Sequence, residues 1–97
     1  MWTGTLALEL MLGDVHSLKE KRSVVRPVIA ALRKLDVAVA EAGHLDLHRR
    51  ALLGVAVVAV DVQHVREVLD RCERLVTDRP EVEVLSARQR LFKEGED

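Results

Sequence analysis

The sequence of 97 residues is long enough for one domain with one hydrophobic core, and only two of its many apolar residues are aromatic, so Leu, Val and Ala must fill that core. A formal net charge of −1 gives no overall sign of nucleic-acid binding, and no stretch approaches the ~20 apolar residues that span a bilayer. The single cysteine, Cys72, excludes a disulfide within the chain and a cysteine-held iron–sulfur cluster, and with no signal-peptide pattern it predicts a soluble cytoplasmic protein.

The first two predicted elements are a strand and a helix. Leucines at every second position of residues 6–12 predict a strand with one face in the core. Apolar positions then recur at helical spacing, beginning at Leu18 and ending at Leu35. Pro27 interrupts this helix because proline removes one hydrogen bond and clashes with the carbonyl four residues earlier. We expect one helix kinked near Ser23, or else a short first turn followed by a helix that restarts there.

Two strands joined by a polar loop come next. Residues 37–42 predict a short strand, and residues 43–50 form a polar loop with two histidines. The almost unbroken apolar run at residues 51–60 is rich in valine, which favours a central strand buried on both faces.

A second helix and a last strand complete the pattern. Asp61 is a suitable N-cap for a helix over residues 62–76, where Cys72 is predicted to be a buried core residue. Residues 82–92 predict the last strand, and residues 93–97 form a charged tail that we expect to be frayed.

The predicted element order is βαββαβ, which indicates an α+β protein. Right-handed crossovers would place both helices on one face of a four-stranded antiparallel sheet, with the first and third strands central. We therefore predict a single ferredoxin-like domain over residues 1–92.

Positive charge is concentrated at the start of the first helix. Ser17 and Glu20 have the spacing of a capping box, in which each side chain bonds a backbone N–H. Lys19, Lys21 and Arg22 surround this start, where the helix dipole is already positive. Since this arrangement is electrostatically unfavourable, it indicates either an anionic partner or nearby compensating carboxylates.

Basic side chains of this helix and of the polar loop are the candidate anion-binding residues. The six candidates are Lys19, Lys21, Arg22, Arg26, Arg49 and Arg50. We expect them to contact the phosphates of RNA rather than its bases, because the central strands lack the aromatic residues on which bases stack. The alternative is a solvated helix face on which Arg22 or Arg26 pairs with a carboxylate such as Glu41 or Glu9.

A metal site at the histidines and a catalytic site are two further possibilities. On a helical turn His44 and His48 would share a metal ion with Asp46 or His16, but we favour an exposed, flexible loop and predict no metal. We also expect no catalysis and no cofactor, because the sequence has no glycine-rich phosphate loop and no activated cysteine or serine pattern.

The sheet face without helices is predicted to be apolar. It would carry the odd-numbered residues of the first strand, Thr5, Ala7, Glu9 and Met11, beside apolar residues of the third strand. Because exposed apolar area marks interfaces, a homodimer or a protein partner would cover this face. The alternative is a modest apolar patch that the loop and the C-terminal tail partly cover.

Three motifs together resemble the YlxP-like family of small bacterial proteins, a domain of unknown function. They are HSLKEKR at residues 16–22, Ala40-Glu41 at the end of the second strand, and Ala51-x-Leu53-Gly54 in the third. The resemblance implies a ferredoxin-like fold but no catalytic or binding residues. It also implies a link to translation, because members tend to be encoded near translation and ribosome-maturation genes. We therefore expect a translation- or ribosome-associated protein that contacts RNA backbone, or alternatively a homo-oligomeric interaction module.

Overall fold

Two central strands hold the sheet of this protein together, and two helices cover one of its faces. The computed structural model describes residues 1–95. Its elements are β1 (Trp2–Leu12), α1 (Leu18–Arg33), β2 (Ala38–Gly43), β3 (Arg50–Ala59), α2 (Val62–Thr77) and β4 (Val82–Lys93). The antiparallel sheet has the order β2-β3-β1-β4, so the first and third strands are central. The predicted ferredoxin-like α+β fold is therefore confirmed.

The strand ends differ slightly from the prediction. β2 lies one residue later than expected, and β3 begins at Arg50, which the sequence pattern placed in the loop. Arg50 lies opposite Met11 of β1, since backbone pairing continues past the end of the apolar run. At the other end the N–H of Glu94 donates to the carbonyl of Met1 at 2.9 Å. Pairing thus enters the predicted tail, whose last two residues lie outside the described part.

Helix α1 is a single continuous helix through Pro27, not two pieces. Pro27 is exposed, so its ring extends away from the core. The buried positions are Lys21, Val25, Val28 and Leu32. Leu18, where the apolar helical series was predicted to begin, was expected to face the core, and this is wrong because its side chain is 37% exposed.

The core lies between the helices and one face of the sheet. Leu6, Leu8, Leu10 and Leu12 of β1 are at most 1% exposed, as their alternation predicted. The odd-numbered residues of β3 from 51 to 57 cover the same side, opposite the apolar face of α2. Cys72 is fully buried, and burial raises the pKa of its thiol, which keeps it protonated. Neither helix of residues 1–95 is long and apolar enough to cross a membrane.

Gly4 permits the close approach of α2 to β1. A Cβ atom at this position would lie 2.3 Å from Cγ1 of Val65 and 2.9 Å from Cδ1 of Leu69. Because both neighbours belong to the fully buried face of α2, neither side chain has free space to move into. The distance between helix and sheet therefore depends on a residue without a side chain.

We expect Gly4→Ala to lower the free energy of unfolding by about 1–3 kcal/mol, because one added methyl overpacks this contact. Gly13→Ala is the control, since a Cβ there meets nothing within 4 Å. Urea unfolding followed by circular dichroism measures both variants. Equal stability of the two variants would contradict the close-approach explanation.

Candidate nucleic-acid interface

The start of α1 is fixed by the predicted capping box. Oγ of Ser17 accepts a hydrogen bond from the N–H of Glu20 at 3.1 Å. The Glu20 carboxylate accepts one from the N–H of His16 at 2.8 Å, one residue before the cap. Oγ of Ser17 therefore takes one of the free N–H groups of the first turn, that of Glu20, and the basic side chains of this helix start lie nearby.

Three basic side chains form an exposed row on α1, which we call the basic stripe: Lys19, Arg22 and Arg26. Their spacing of three and four residues places them on one side of the helix. They border a shallow surface depression together with Ser23 and Pro27. None of the three side chains forms an ion pair or a hydrogen bond within residues 1–95. Their charge is therefore available to a partner.

The structure separates Lys21 from this stripe, which corrects its predicted place on the surface. Lys21 is 2% exposed and points towards the β2–β3 hairpin. Its Nζ lies 2.9 Å from Oε2 of Glu41 and donates to the carbonyl of His44 at 2.7 Å. The compensating carboxylate considered for Arg22 or Arg26 thus exists, but it pairs with Lys21.

A second charged cluster joins β1, the hairpin and β3. Nε2 of His44 lies 2.6 Å from Oε1 of Glu9, and Arg50 donates to the same oxygen. Since a carboxylate only accepts hydrogen bonds, Nε2 of His44 must carry the proton in this contact. These two hydrogen bonds hold the pKa of Glu9 below its ordinary value, and the bond from His44 has the larger effect.

The six predicted residues thus fall into four places. Lys19, Arg22 and Arg26 form the basic stripe, and Lys21 is buried beneath it. Exposed Arg49 donates its Nε–H to the carbonyl of Gly13 at 3.1 Å. Arg50 lies beside Glu9 on the other face of the sheet, where the register pairs it with Met11. The six residues therefore do not form a single surface.

The histidines do not converge. His44 is half-buried and bonded to Glu9, so the expectation of an exposed, flexible loop is wrong for this residue. His48 is exposed, and Nε2 of His16 lies 2.6 Å from Oδ1 of Asp14, two residues after β1 ends. Within residues 1–95, no three His, Cys, Asp or Glu side chains are placed to hold a metal ion.

The sheet face opposite the helices, which we call the helix-free face, carries mostly small residues. In its middle Ala7 pairs with Gly54, and Thr5 pairs with Ala56. Ala40 pairs with Gly54 from the β2 side, so the alanine and glycine surface extends over three strands. At the β4 edge Arg88 and Arg90 lie beside Ala7 and Thr5.

Comparison with known proteins assigns the family. The family model described as "Protein of unknown function (DUF503)" matches residues 3–89. The chain belongs to this family. It is also 29% identical over 90 residues to the uncharacterised protein YlxP of Bacillus subtilis strain 168, covering 92% of this chain and 98% of that protein. The predicted YlxP-like membership is thereby confirmed.

A solved structure shares the fold. It is a crystal structure of a point mutant of SnoaB, a cofactor-independent oxygenase from Streptomyces nogalater. The TM-score is 0.53 with 13% identity, over 98% of this chain and 95% of that one. At this identity the likeness shows the fold alone.

Replacing Lys21 tests the buried ion pair. We expect Lys21→Met to lower the free energy of unfolding by about 2 kcal/mol, because Glu41 loses its charge partner in a partly buried place. Adding Glu41→Gln should recover part of this loss, which a double-mutant cycle in urea measures. Lys19→Met, on the exposed stripe, should change stability by less than about 0.5 kcal/mol. Equal losses for the two lysine variants would contradict the assignment.

The Glu9 cluster predicts a pH-dependent contribution to stability. A carboxyl whose pKa is lowered by folding stabilises the protein above its unfolded-state pKa, near 4.5, and loses this effect as pH falls through the folded pKa. Glu9→Gln should therefore be less stable than the unmodified protein at neutral pH, and the difference should vanish in acid. Urea unfolding across a pH series measures it. A difference that stays constant with pH would refute the role of Glu9.

Proposed function

We propose that this protein is a non-catalytic binding protein of the translation apparatus that contacts the RNA backbone through the basic stripe. The observation that carries the proposal is the contrast between Lys21, whose charge is satisfied inside the protein, and the stripe, whose three charges are exposed and unpaired within residues 1–95. Unpaired cations on one rigid helix face are suited to phosphates, which need charge but no base-specific geometry.

The dimensions of the stripe fit a backbone contact. Lys19 and Arg26 are seven residues apart, which is about 10.5 Å along a helix axis. A duplex presents several phosphates over that distance. The helix is anchored at this point by its capping box and by Lys21, so the three side chains project from an ordered surface.

The composition of the sheet argues against base stacking. The helix-free side of β1 and β3 carries no aromatic residue, and Phe92 lies on the edge strand β4. Trp2 packs against the core on the opposite side of the sheet. Recognition of RNA would therefore depend on backbone charge and shape rather than on base identity. The link to translation rests on the family resemblance alone, which implies that members tend to be encoded near translation genes.

Binding to structured ribosomal RNA across a salt series tests the proposal. Three phosphate contacts predict a slope of log affinity against log salt of about −3 for the unmodified protein. Combining Lys19→Ala, Arg22→Ala and Arg26→Ala should bring this slope close to zero and abolish binding at physiological salt. Fluorescence anisotropy with labelled RNA measures both quantities.

A second triple variant provides the matched control. Arg66→Ala, Arg71→Ala and Arg74→Ala remove the same charge from the exposed side of α2 and should leave RNA affinity nearly unchanged. Equal loss in both triple variants would show that only net charge matters, and absence of salt-dependent binding would overturn the RNA proposal. Co-sedimentation with ribosomal fractions at low and high salt tests the translation link separately.

A further inference from the structure

We propose that the helix-free face is the contact surface of a symmetric dimer, in which β4 of each copy lies over β2 of the other. This face is not used by the proposed RNA contact, because the basic stripe lies on the helix side of the sheet. The occupant is a second copy of the chain. Four features support this assignment: the composition of the face, its charge, its area, and the charges at its two edges.

The composition favours a self-complementary contact. The centre of the face consists of Ala7 in β1, Gly54 and Ala56 in β3, and Ala38 and Ala40 in β2. None of these residues projects a long side chain. An isologous contact requires a patch that fits itself, and a flat surface of small residues does so without rearrangement.

Large apolar side chains lie around this flat centre. Val58 is 61% exposed and Phe92 is 49% exposed, at one end of β3 and β4. Leu52 is half-buried towards the other end, and neither helix packs on this face. A second sheet would remove these side chains from water.

The one carboxylate near the middle of the face is already compensated. Glu9 is held by His44 and Arg50 of its own chain. Covering Glu9 with another molecule would therefore bury a charge that already has its partners, which avoids the large penalty for an isolated ion.

The charges at the two edges select the orientation of the second copy. Arg88 and Arg90 are exposed on β4 and have no ion pair within residues 1–95. A two-fold axis that runs across the strands would place these arginines against those of the other copy. An axis along the strands instead places them over Ala40 and Ala38 of the other β2, where there is room.

The same axis places Arg90 closer to an acidic residue of the other copy than to its arginines. Asp36 is exposed two residues before β2 begins, and it too has no ion pair within the described residues. Arg90 pairs with Thr5 across the sheet, and Thr5 is level with Ala56 and Ala38. Arg90 of one copy therefore lies over Ala38 of the other, two residues along the chain from Asp36.

The area suffices for a weak dimer. Strands about 4.8 Å apart with about 3.4 Å per residue give the face about 500 Å² per copy, or about 1,000 Å² in total. Specific interfaces begin near this size, and weak ones dissociate at micromolar concentration. Aligned packing of two twisted sheets, at about −30°, is the geometry of a β-sandwich.

Sedimentation equilibrium over a concentration series tests the dimer. We expect a reversible dimer with a dissociation constant on the order of 10 µM. Ala7→Glu and, separately, Ala56→Glu should weaken it about tenfold or more, because each places charges at the centre of the contact. Ala30→Glu adds the same charge on the exposed side of α1 and should leave the dimer intact. Circular dichroism confirms that each variant is folded.

Crosslinking tests the orientation. A short bismaleimide should join copies of the double variant Arg88→Cys with Ala40→Cys into covalent dimers, and Arg88→Cys alone should give none. Cys72 is buried and does not compete. Covalent dimers from Arg88→Cys alone would overturn the proposed orientation. A monomer at all concentrations, or a dimer that Ala30→Glu weakens as much as Ala7→Glu does, would overturn the interface itself.

Discussion

The buried contact of Lys21 with the β2–β3 hairpin sets the position of α1 and therefore of everything on its surface. A lysine ammonium removed from water is costly unless its donors are satisfied, and here Glu41 and the carbonyl of His44 satisfy two of them. The contact fixes the rotation of the helix about its axis. With Lys21 turned inward at about 100° per residue, Arg22 and Arg26 must turn outward.

This contact continues into the second charged cluster through one residue. The carbonyl of His44 accepts a hydrogen bond from Lys21, and its side chain donates one to Glu9. The backbone of His44 has a φ of 58°. The left-handed conformation costs a non-glycine residue energy, which the two hydrogen bonds offset. The hairpin thus ties α1 on one side of the sheet to Glu9 on the other, and both clusters keep their charges paired within the protein.

Much of the fold was predictable from the sequence because periodicity determines which face of an element is buried. The leucines of β1 and the capping box at Ser17 are local patterns and were confirmed. The burial of Lys21 also had a local signal, because Lys21, Val25, Val28 and Leu32 follow the spacing of one helix face. The prediction nevertheless placed Lys21 on the surface because its side chain is charged. The partner of Glu9 had no such signal, since it depends on the register between β1 and β3 and on the conformation of the hairpin.

The two proposed surfaces lie on opposite sides of one sheet, and this arrangement has a consequence for RNA binding. A dimer through the helix-free face leaves the helices outside, so it carries two basic stripes that face away from each other. A stripe of three cations binds RNA weakly at physiological salt, because salt lowers the affinity that each phosphate contact contributes. Two stripes on one dimer would bind two segments of a folded RNA with an affinity above that of either stripe, provided that both are reached at once. Dimerisation would therefore favour compact RNA, which surrounds the protein, over an isolated duplex, which meets one stripe only.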